Sequence, residues 1–219
     1  MRSFPLAVSL ALAAPILLTA CEGMGMGRDT GMSFFVTSAN PGRGSDFGGL
    51  AGADRHCEAL ATAAGAGRKN WRAYLSTTGA GSVNARDRIG RGPWRNARGV
   101  EIAGSVDELH GTNQLTKQTA LTEKGETVMG RGDATNLHDI LTGSTPEGRA
   151  TAGGTQDTTC GNWTKSGEGS AIVGHHDRLG LQDDAPSRSW NSSHGTRGCG
   201  MDALKSTGGG GLLYCFAAR

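Results

Sequence analysis

The last quarter of the chain decides the fold, and it reads Thr159-Cys160-Gly161-Asn162-Trp163, then Ser189-Trp190-Asn191, Gly198-Cys199 and Leu213-Tyr214-Cys215-Phe216. Three of the five cysteines lie there, and a fourth, Cys57, lies upstream in an apolar-periodic segment that predicts a helix. Four cysteines allow three pairings, among which their spacing does not choose. Because no Cys-x-x-Cys occurs and the spacings are wide, disulfides are favoured over a zinc cluster or redox pair. Disulfides in turn indicate an oxidising compartment.

Composition limits the size of the core and the class of partner. A chain of 219 residues is long enough for one domain with appendages. With 37 glycines and 5% aromatic residues, it is expected to be rich in loops and to have a modest core. The net charge of +2 gives no overall field that would favour nucleic acid as a partner.

The N-terminal segment has the form of a secretory leader. Residues 1–20 carry one early cation and an apolar run that ends in small residues, which predicts a signal peptide. Leu18-Thr19-Ala20-Cys21 resembles a bacterial lipobox, so we expect a lipid on Cys21 and a protein anchored in the bacterial cell envelope, at the outer membrane. Residues 21–32, rich in glycine and methionine, are expected to form a tether. The alternative is a soluble secreted protein with a spare cysteine.

The remaining residues, 33–219, are expected to form the domain. Ser33–Ser38 predicts a first strand, and the apolar spacing from Gly49 onward predicts a helix that stops at Gly65-Ala66-Gly67. Further strands are predicted at 71–76, 159–164, 171–174 and 211–216.

Several ordered motifs carry a family resemblance. Trp71–Ser76, His138–Ser144, Cys160-x-x-Trp163 and Tyr214-Cys215-Phe216 resemble the landmarks of the endostatin domain, a variant of the C-type-lectin-like fold. They are also similar to those of a family of bacterial secreted proteins often called lectins, over residues 34–219. The resemblance implies an α+β fold with a loop-rich mixed sheet and one main helix. It also implies nested disulfides, which pair Cys57 with Cys215 and Cys160 with Cys199.

The calcium site of C-type lectins is not expected here. In those lectins a Trp-Asn-Asp motif supplies two ligands, and Trp190-Asn191-Ser192 resembles it with Ser192 in place of the carboxylate. The partner motifs Glu-Pro-Asn and Gln-Pro-Asp are missing as well. Calcium needs six to eight oxygen ligands. Asp177, Asp183 and Asp184 leave a different calcium site open.

Histidines and aspartates concentrate between Cys160 and Cys199. For zinc, one of His175 or His176 could join His194 and Asp177, and we take His176 and Asp177 as the candidate metal ligands. The alternative is a hydrogen-bonded polar loop whose histidines pack against Trp190. No cofactor is required, and calcium and zinc both stay open.

The function predicted from these patterns is recognition without catalysis. The chain contains no Gly-x-Ser-x-Gly, His-Glu-x-x-His, phosphate loop or dinucleotide fingerprint, and an enzyme built on its histidines has no nucleophile. We expect a glycan or a surface protein as ligand. The alternatives are a structural envelope lipoprotein and a metal-dependent hydrolase. The ligand residues are expected to be Trp190 as a stacking face, with Asn191, His194, Asp183 and Asp184 as polar contacts.

Overall fold

The computed structural model describes Met1, residues 31–152 and residues 156–218. The expected signal peptide, Cys21 and most of the expected tether lie outside the described residues. Met32, at the end of the expected tether, is only 3% exposed and packs into the core. Within residues 31–152 and 156–218, no helix is long and apolar enough to cross a membrane.

The architecture is mixed α+β, with eight strands, four α-helical segments and one 3₁₀ turn (Ala85–Asp87) in the described part of the chain. The strands are β1 (Phe34–Val36), β2 (Asn70–Ala73), β3 (Trp94–Arg95), β4 (Glu101–Ala103), β5 (Asp139–Leu141), β6 (Ile172–His175), β7 (His194–Gly195) and β8 (Gly209–Ala218). The helical segments are α1 (Gly49–Ala63), α2 (Val106–Leu109), α3 (Cys160–Trp163) and α4 (Met201–Lys205).

Strand β8 is the centre of the main sheet. The order is β1-β8-β5-β6-β7, with β2 also paired to β8. β8 runs antiparallel to β1 and β2 and parallel to β5, so the sheet is mixed, as predicted. Strands β3 and β4 form a separate two-stranded sheet.

Residues of β8 alternate between two apolar clusters, as the period of two in a strand requires. Leu213, Cys215 and Ala217 belong to the cluster that also contains buried residues of α1. Leu212, Tyr214 and Phe216 belong to a second cluster. The sheet therefore has a core on each of its faces, and α1 covers one of them.

Both predicted disulfides are confirmed. Cys57 on α1 is bonded to Cys215 on β8, and Cys160 is bonded to Cys199, each with a Cα–Cα distance of 5.7 Å. The first bond ties the only long helix among the described residues, α1 with 15 residues, to the central strand. One main helix, a mixed sheet and two bridges therefore agree with the sequence.

The predicted strand at residues 159–164 is wrong. Cys160, Gly161, Asn162 and Trp163 all have positive φ, between 48° and 68°, and form the single left-handed turn α3. The Thr159 hydroxyl accepts a hydrogen bond from the Asn162 backbone N–H at 3.2 Å. Such local side-chain contacts compete with a strand ladder, and glycine and asparagine tolerate this conformation.

Candidate functional site

An open cavity lies where the start of β5, the end of β6 and the start of β7 meet. Its volume is about 700 Å³. We call it the histidine cavity, and its lining includes Arg131, His138, His175, His194, Arg197 and Lys205.

Strand register brings the side chains on the floor of the cavity together. Asp139 of β5 lies directly opposite His175 of β6, and His194 of β7 lies opposite Val173, two residues before His175. Opposite residues, and residues two apart on a strand, share a face of the sheet. Asp139, His175 and His194 therefore point to the same side, and His138 joins them from the residue before β5.

Three imidazole nitrogens converge on one carboxylate oxygen. The Nε2 atoms of His138, His175 and His194 lie 3.2, 3.3 and 3.4 Å from Oδ1 of Asp139. The rings of His138 and His175 stack with centroids 4.1 Å apart. Asp139 is only 2% exposed, and neither of its oxygens has a contact with hydrogen-bond geometry. We call these four residues the His-Asp cluster.

The far side of each imidazole is held by an oxygen acceptor. In all three rings Nδ1 faces a carboxylate or carbonyl oxygen, which fixes the orientation of the ring, and His175 Nδ1 also lies 3.3 Å from the Ser193 hydroxyl. The contacts are His138 Nδ1 to Asp177 Oδ1 at 3.2 Å, His175 Nδ1 to the Ser187 carbonyl at 2.8 Å, and His194 Nδ1 to the Gly195 carbonyl at 3.1 Å.

Asp177 is itself fixed by the backbone. Its carboxylate accepts hydrogen bonds from the N–H groups of Arg131 at 2.7 Å and Leu179 at 3.1 Å. A Cβ at Gly130 would lie 2.5 Å from Asp177 Oδ2, so glycine permits the close approach. Burial acts to raise the pKa of Asp177, but its contact with His138 and these backbone hydrogen bonds outweigh burial and lower it. Asp177 is therefore a charged support behind His138.

The cluster attracts positive charge. Burial acts to raise the pKa of Asp139, but contacts with His175 and His194 and the charges of nearby histidines outweigh it and lower the pKa to about 2. The contact with Asp139 raises the pKa of His194. Asp139 is thus ionised at neutral pH. The nitrogen and oxygen atoms of the His-Asp cluster suit either a proton or a metal ion.

Two of the predicted ligand residues belong to the core. Trp190 is 3% exposed and packs on Tyr74, with ring centroids 4.8 Å apart. Asn191 is 1% exposed, and its amide donates to the Tyr74 hydroxyl at 3.0 Å and to the carbonyls of Thr145 and Pro146. The expectation that Trp190 offers a stacking face is therefore wrong, because its ring is enclosed by other aromatic side chains.

The other predicted residues are divided between the cavity and its surroundings. His194 and Asp184 line the histidine cavity. Asp183 is exposed and accepts a hydrogen bond from Arg188 Nε at 2.6 Å.

The predicted metal ligands His176 and Asp177 need correction. His176 is buried apart from the cluster, with Nε2 3.4 Å from the Met129 carbonyl, and burial lowers its pKa to about 4. Asp177 supports His138 and does not face the centre. Of the two adjacent histidines, His175 joins His194, because successive residues of a strand point to opposite sides.

Sequence reasoning missed His138, Asp139 and Leu181. The pair His138-Asp139 was interpreted as part of a fold landmark, although adjacent histidine and aspartate in a chain with six histidines is a signal in itself. Leu181 is 88% exposed and lines the cavity, so it supplies the apolar surface that Trp190 was expected to supply.

No protein-family model matches this chain, and a comparison with curated proteins finds no similar protein.

Proposed function

We propose that this chain is a lipid-anchored protein of the bacterial cell envelope whose C-type-lectin-like domain recognises an anionic saccharide in the histidine cavity, without chemical change to the ligand. One observation carries the ligand class: three cationic side chains surround the floor of the cavity. The proposal keeps the recognition function indicated by the sequence and moves the site away from Trp190.

The lining of the cavity favours negative charge. Arg131, Arg197 and Lys205 are exposed, and the part of the chain that the structure describes offers them no ion-pair partner. Asp184 is the acidic residue on the same rim. The whole chain has a net charge of only +2, so these three cations form a local concentration of positive charge. A lining on which three cations outnumber one carboxylate favours ligands of negative charge.

Size and polarity fit a saccharide. A volume of about 700 Å³ lies within the range of small-ligand sites, roughly 300–1,000 Å³. The Ser187 and Ser193 side chains add hydroxyl groups, and Leu181 adds an exposed apolar surface. Hydroxyl groups and an apolar patch suit the edges and faces of a sugar ring.

The cellular location rests on separate observations. Two disulfides indicate an oxidising, extracellular or periplasmic environment. The sequence Leu18-Thr19-Ala20-Cys21 supports lipidation and an outer-membrane location. The nested disulfides and the long helix α1 support the C-type-lectin-like fold.

A glycan array with purified protein tests the function. We expect binding to glycans that carry carboxylate, sulfate or phosphate groups and weak binding to their neutral counterparts. Arg197→Ala and Lys205→Ala should each weaken binding about tenfold, since a hydrogen bond to a charged group contributes about 1.5 kcal/mol or more. Arg91→Ala and Lys124→Ala remove exposed cations outside the cavity lining and serve as matched controls. Equal binding of acidic and neutral glycans would contradict the proposal, and binding of none would favour a structural envelope role.

A metal-dependent hydrolase is the second candidate, and one observation favours it. His138, His175 and His194 line a cavity large enough for a substrate, beside the buried Asp139. A panel of ester, amide and phosphoester substrates, assayed with added zinc, tests this candidate. If the protein turns over one of these substrates and Asp139→Asn abolishes the turnover, the function is catalysis and not recognition alone.

A further inference from the structure

We propose that His138, Asp139, His175 and His194 bind one divalent transition-metal ion of the zinc class on the floor of the histidine cavity. The site requires no saccharide ligand, so it stands or falls independently of the proposed function.

The distances from Asp139 Oδ1 to the three histidine nitrogens match the edges of a tetrahedral site. Zinc lies about 2.0–2.1 Å from histidine nitrogen or carboxylate oxygen, and a tetrahedron of that size has edges of about 3.3–3.4 Å. The three Nε2 atoms lie 3.2, 3.3 and 3.4 Å from Asp139 Oδ1. The ligand atoms of His138, Asp139 and His175 all lie within 4.8 Å of one another. The partly exposed His194 side chain lies outside that group, and its movement would bring the fourth donor to the ion.

The outer contacts support the tautomers that metal binding requires. The Nδ1 atoms of His175 and His194 face carbonyl oxygens and that of His138 faces Asp177, so each ring can carry its proton on Nδ1 and leave Nε2 to a metal. In a neutral ring with this tautomer, the Nε2 atom carries a lone pair that can bind a metal. The Nε2 atoms of all three rings lie within 3.4 Å of Asp139 Oδ1, and rotation of the stacked His138 and His175 rings would direct both Nε2 atoms to one ion.

The buried polar atoms at the centre of the cluster lack hydrogen-bond partners in the part of the chain that the structure describes. His175 Nε2 and both oxygens of Asp139 are buried without a hydrogen-bond partner among the described residues. A buried charge is costly unless it is paired or coordinates a metal. One divalent ion would satisfy all four side chains together.

The donor set selects the class of metal. Three imidazole nitrogens and one carboxylate oxygen suit zinc, with nickel and copper as competitors. Calcium and magnesium prefer oxygen donors in larger coordination shells, so neither fits. The His194 side chain is 37% exposed at the cavity, which gives the ion a route of entry.

Metal titration of the full-length protein tests the proposal. The protein is produced without a histidine tag, stripped with chelator and titrated with zinc, with metal content measured by mass spectrometry. We expect one zinc per chain, and visible absorption bands of tetrahedral Co²⁺ when cobalt replaces zinc. His175→Ala should weaken zinc binding by more than about a hundredfold, since loss of an outer support alone costs about 10–100-fold.

A second variant and a control keep the test decisive. His194→Ala alters a partly exposed residue at the start of the two-residue strand β7, so it serves if His175→Ala fails to fold. His56→Ala removes a histidine on α1 outside the cavity and should bind zinc like the unmodified protein. Peptide mapping of both disulfides checks folding. Failure to retain zinc, or unchanged zinc affinity in both cluster variants, would overturn the proposal. Calcium binding in place of zinc would also overturn it.

Discussion

His138 bridges two carboxylates: its Nδ1 lies 3.2 Å from Asp177 Oδ1, and its Nε2 lies 3.2 Å from Asp139 Oδ1. Rotation of the ring would break both contacts, so Asp177 determines where the Nε2 lone pair points. Carboxylate-supported histidines of this kind are common in metal sites, where the support fixes the tautomer and raises the basicity of the ligand.

Asp177→Asn should therefore weaken zinc binding by about 10–100-fold, although Asp177 does not contact the proposed metal position. The amide lacks the charge that supports the Nδ1–H group. Isothermal titration with zinc measures the effect. Asp183→Asn removes an exposed carboxylate outside the His-Asp cluster and should leave zinc affinity unchanged. Equal affinity in both variants would mean that Asp177 does not position His138.

Trp190 is a core residue, which predicts a stability effect. Trp190→Ala should lower the free energy of unfolding by about 3–5 kcal/mol, the range for large aromatic residues removed from a core. Urea unfolding followed by far-UV circular dichroism measures the loss. Leu181→Ala, at a side chain that is 88% exposed, should change stability by less than about 0.5 kcal/mol. A Trp190→Ala protein as stable as the unmodified one would contradict the packing described here.

The two disulfides should differ in their contribution to stability. Cys57–Cys215 spans 158 residues and Cys160–Cys199 spans 39. The chain-entropy model gives about 5 kcal/mol for the longer loop and about 4 kcal/mol for the shorter. The double variant Cys57→Ala/Cys215→Ala should therefore unfold at lower denaturant concentration than Cys160→Ala/Cys199→Ala. Peptide mapping confirms that each variant keeps its other bridge, and the reverse order of stability would count against the loop-length argument.

Local patterns were sufficient to predict the elements that depend on local interactions. The apolar spacing around Ala53, Cys57 and Ala61 predicts α1, because one face of the helix meets β2 and β8. The short apolar run at residues 211–216 likewise predicts the strand β8. The left-handed turn α3 escapes such patterns, since hydrogen bonds that the Thr159 and Asp157 side chains accept from backbone N–H groups determine it.

The His-Asp cluster could be predicted only in part, for a different reason. His175 and His194 lie in a stretch that the sequence marks as rich in histidine and aspartate. His138 and Asp139 lie more than thirty residues earlier, and the pairing of β5 with β6 brings Asp139 opposite His175. Register between distant strands is a long-range property that periodicity does not determine.

The stability of the domain should also depend on the protonation of His110. Its Nδ1 donates to a backbone carbonyl at 2.7 Å, so its Nε2 accepts the hydrogen bond from the Tyr74 hydroxyl at 2.8 Å. A proton on Nε2 would occupy the lone pair that accepts the hydrogen bond from Tyr74. Burial lowers the pKa of His110 and outweighs the hydrogen bond to the Val106 carbonyl, which raises it; the charge of Arg86 lowers the pKa further, against smaller opposing effects of Asp107 and Glu147.

A lowered pKa means that the unfolded chain binds the proton more tightly than the folded protein does. The contribution of His110 to stability is therefore present above the unfolded pKa of about 6.5 and is lost as the pH falls below it. His110→Gln keeps an acceptor for Tyr74 but does not titrate. Its melting temperature should fall less than that of the unmodified protein between about pH 7 and pH 5, as measured by scanning calorimetry. Parallel pH profiles for the two proteins would show that His110 is not responsible for the dependence.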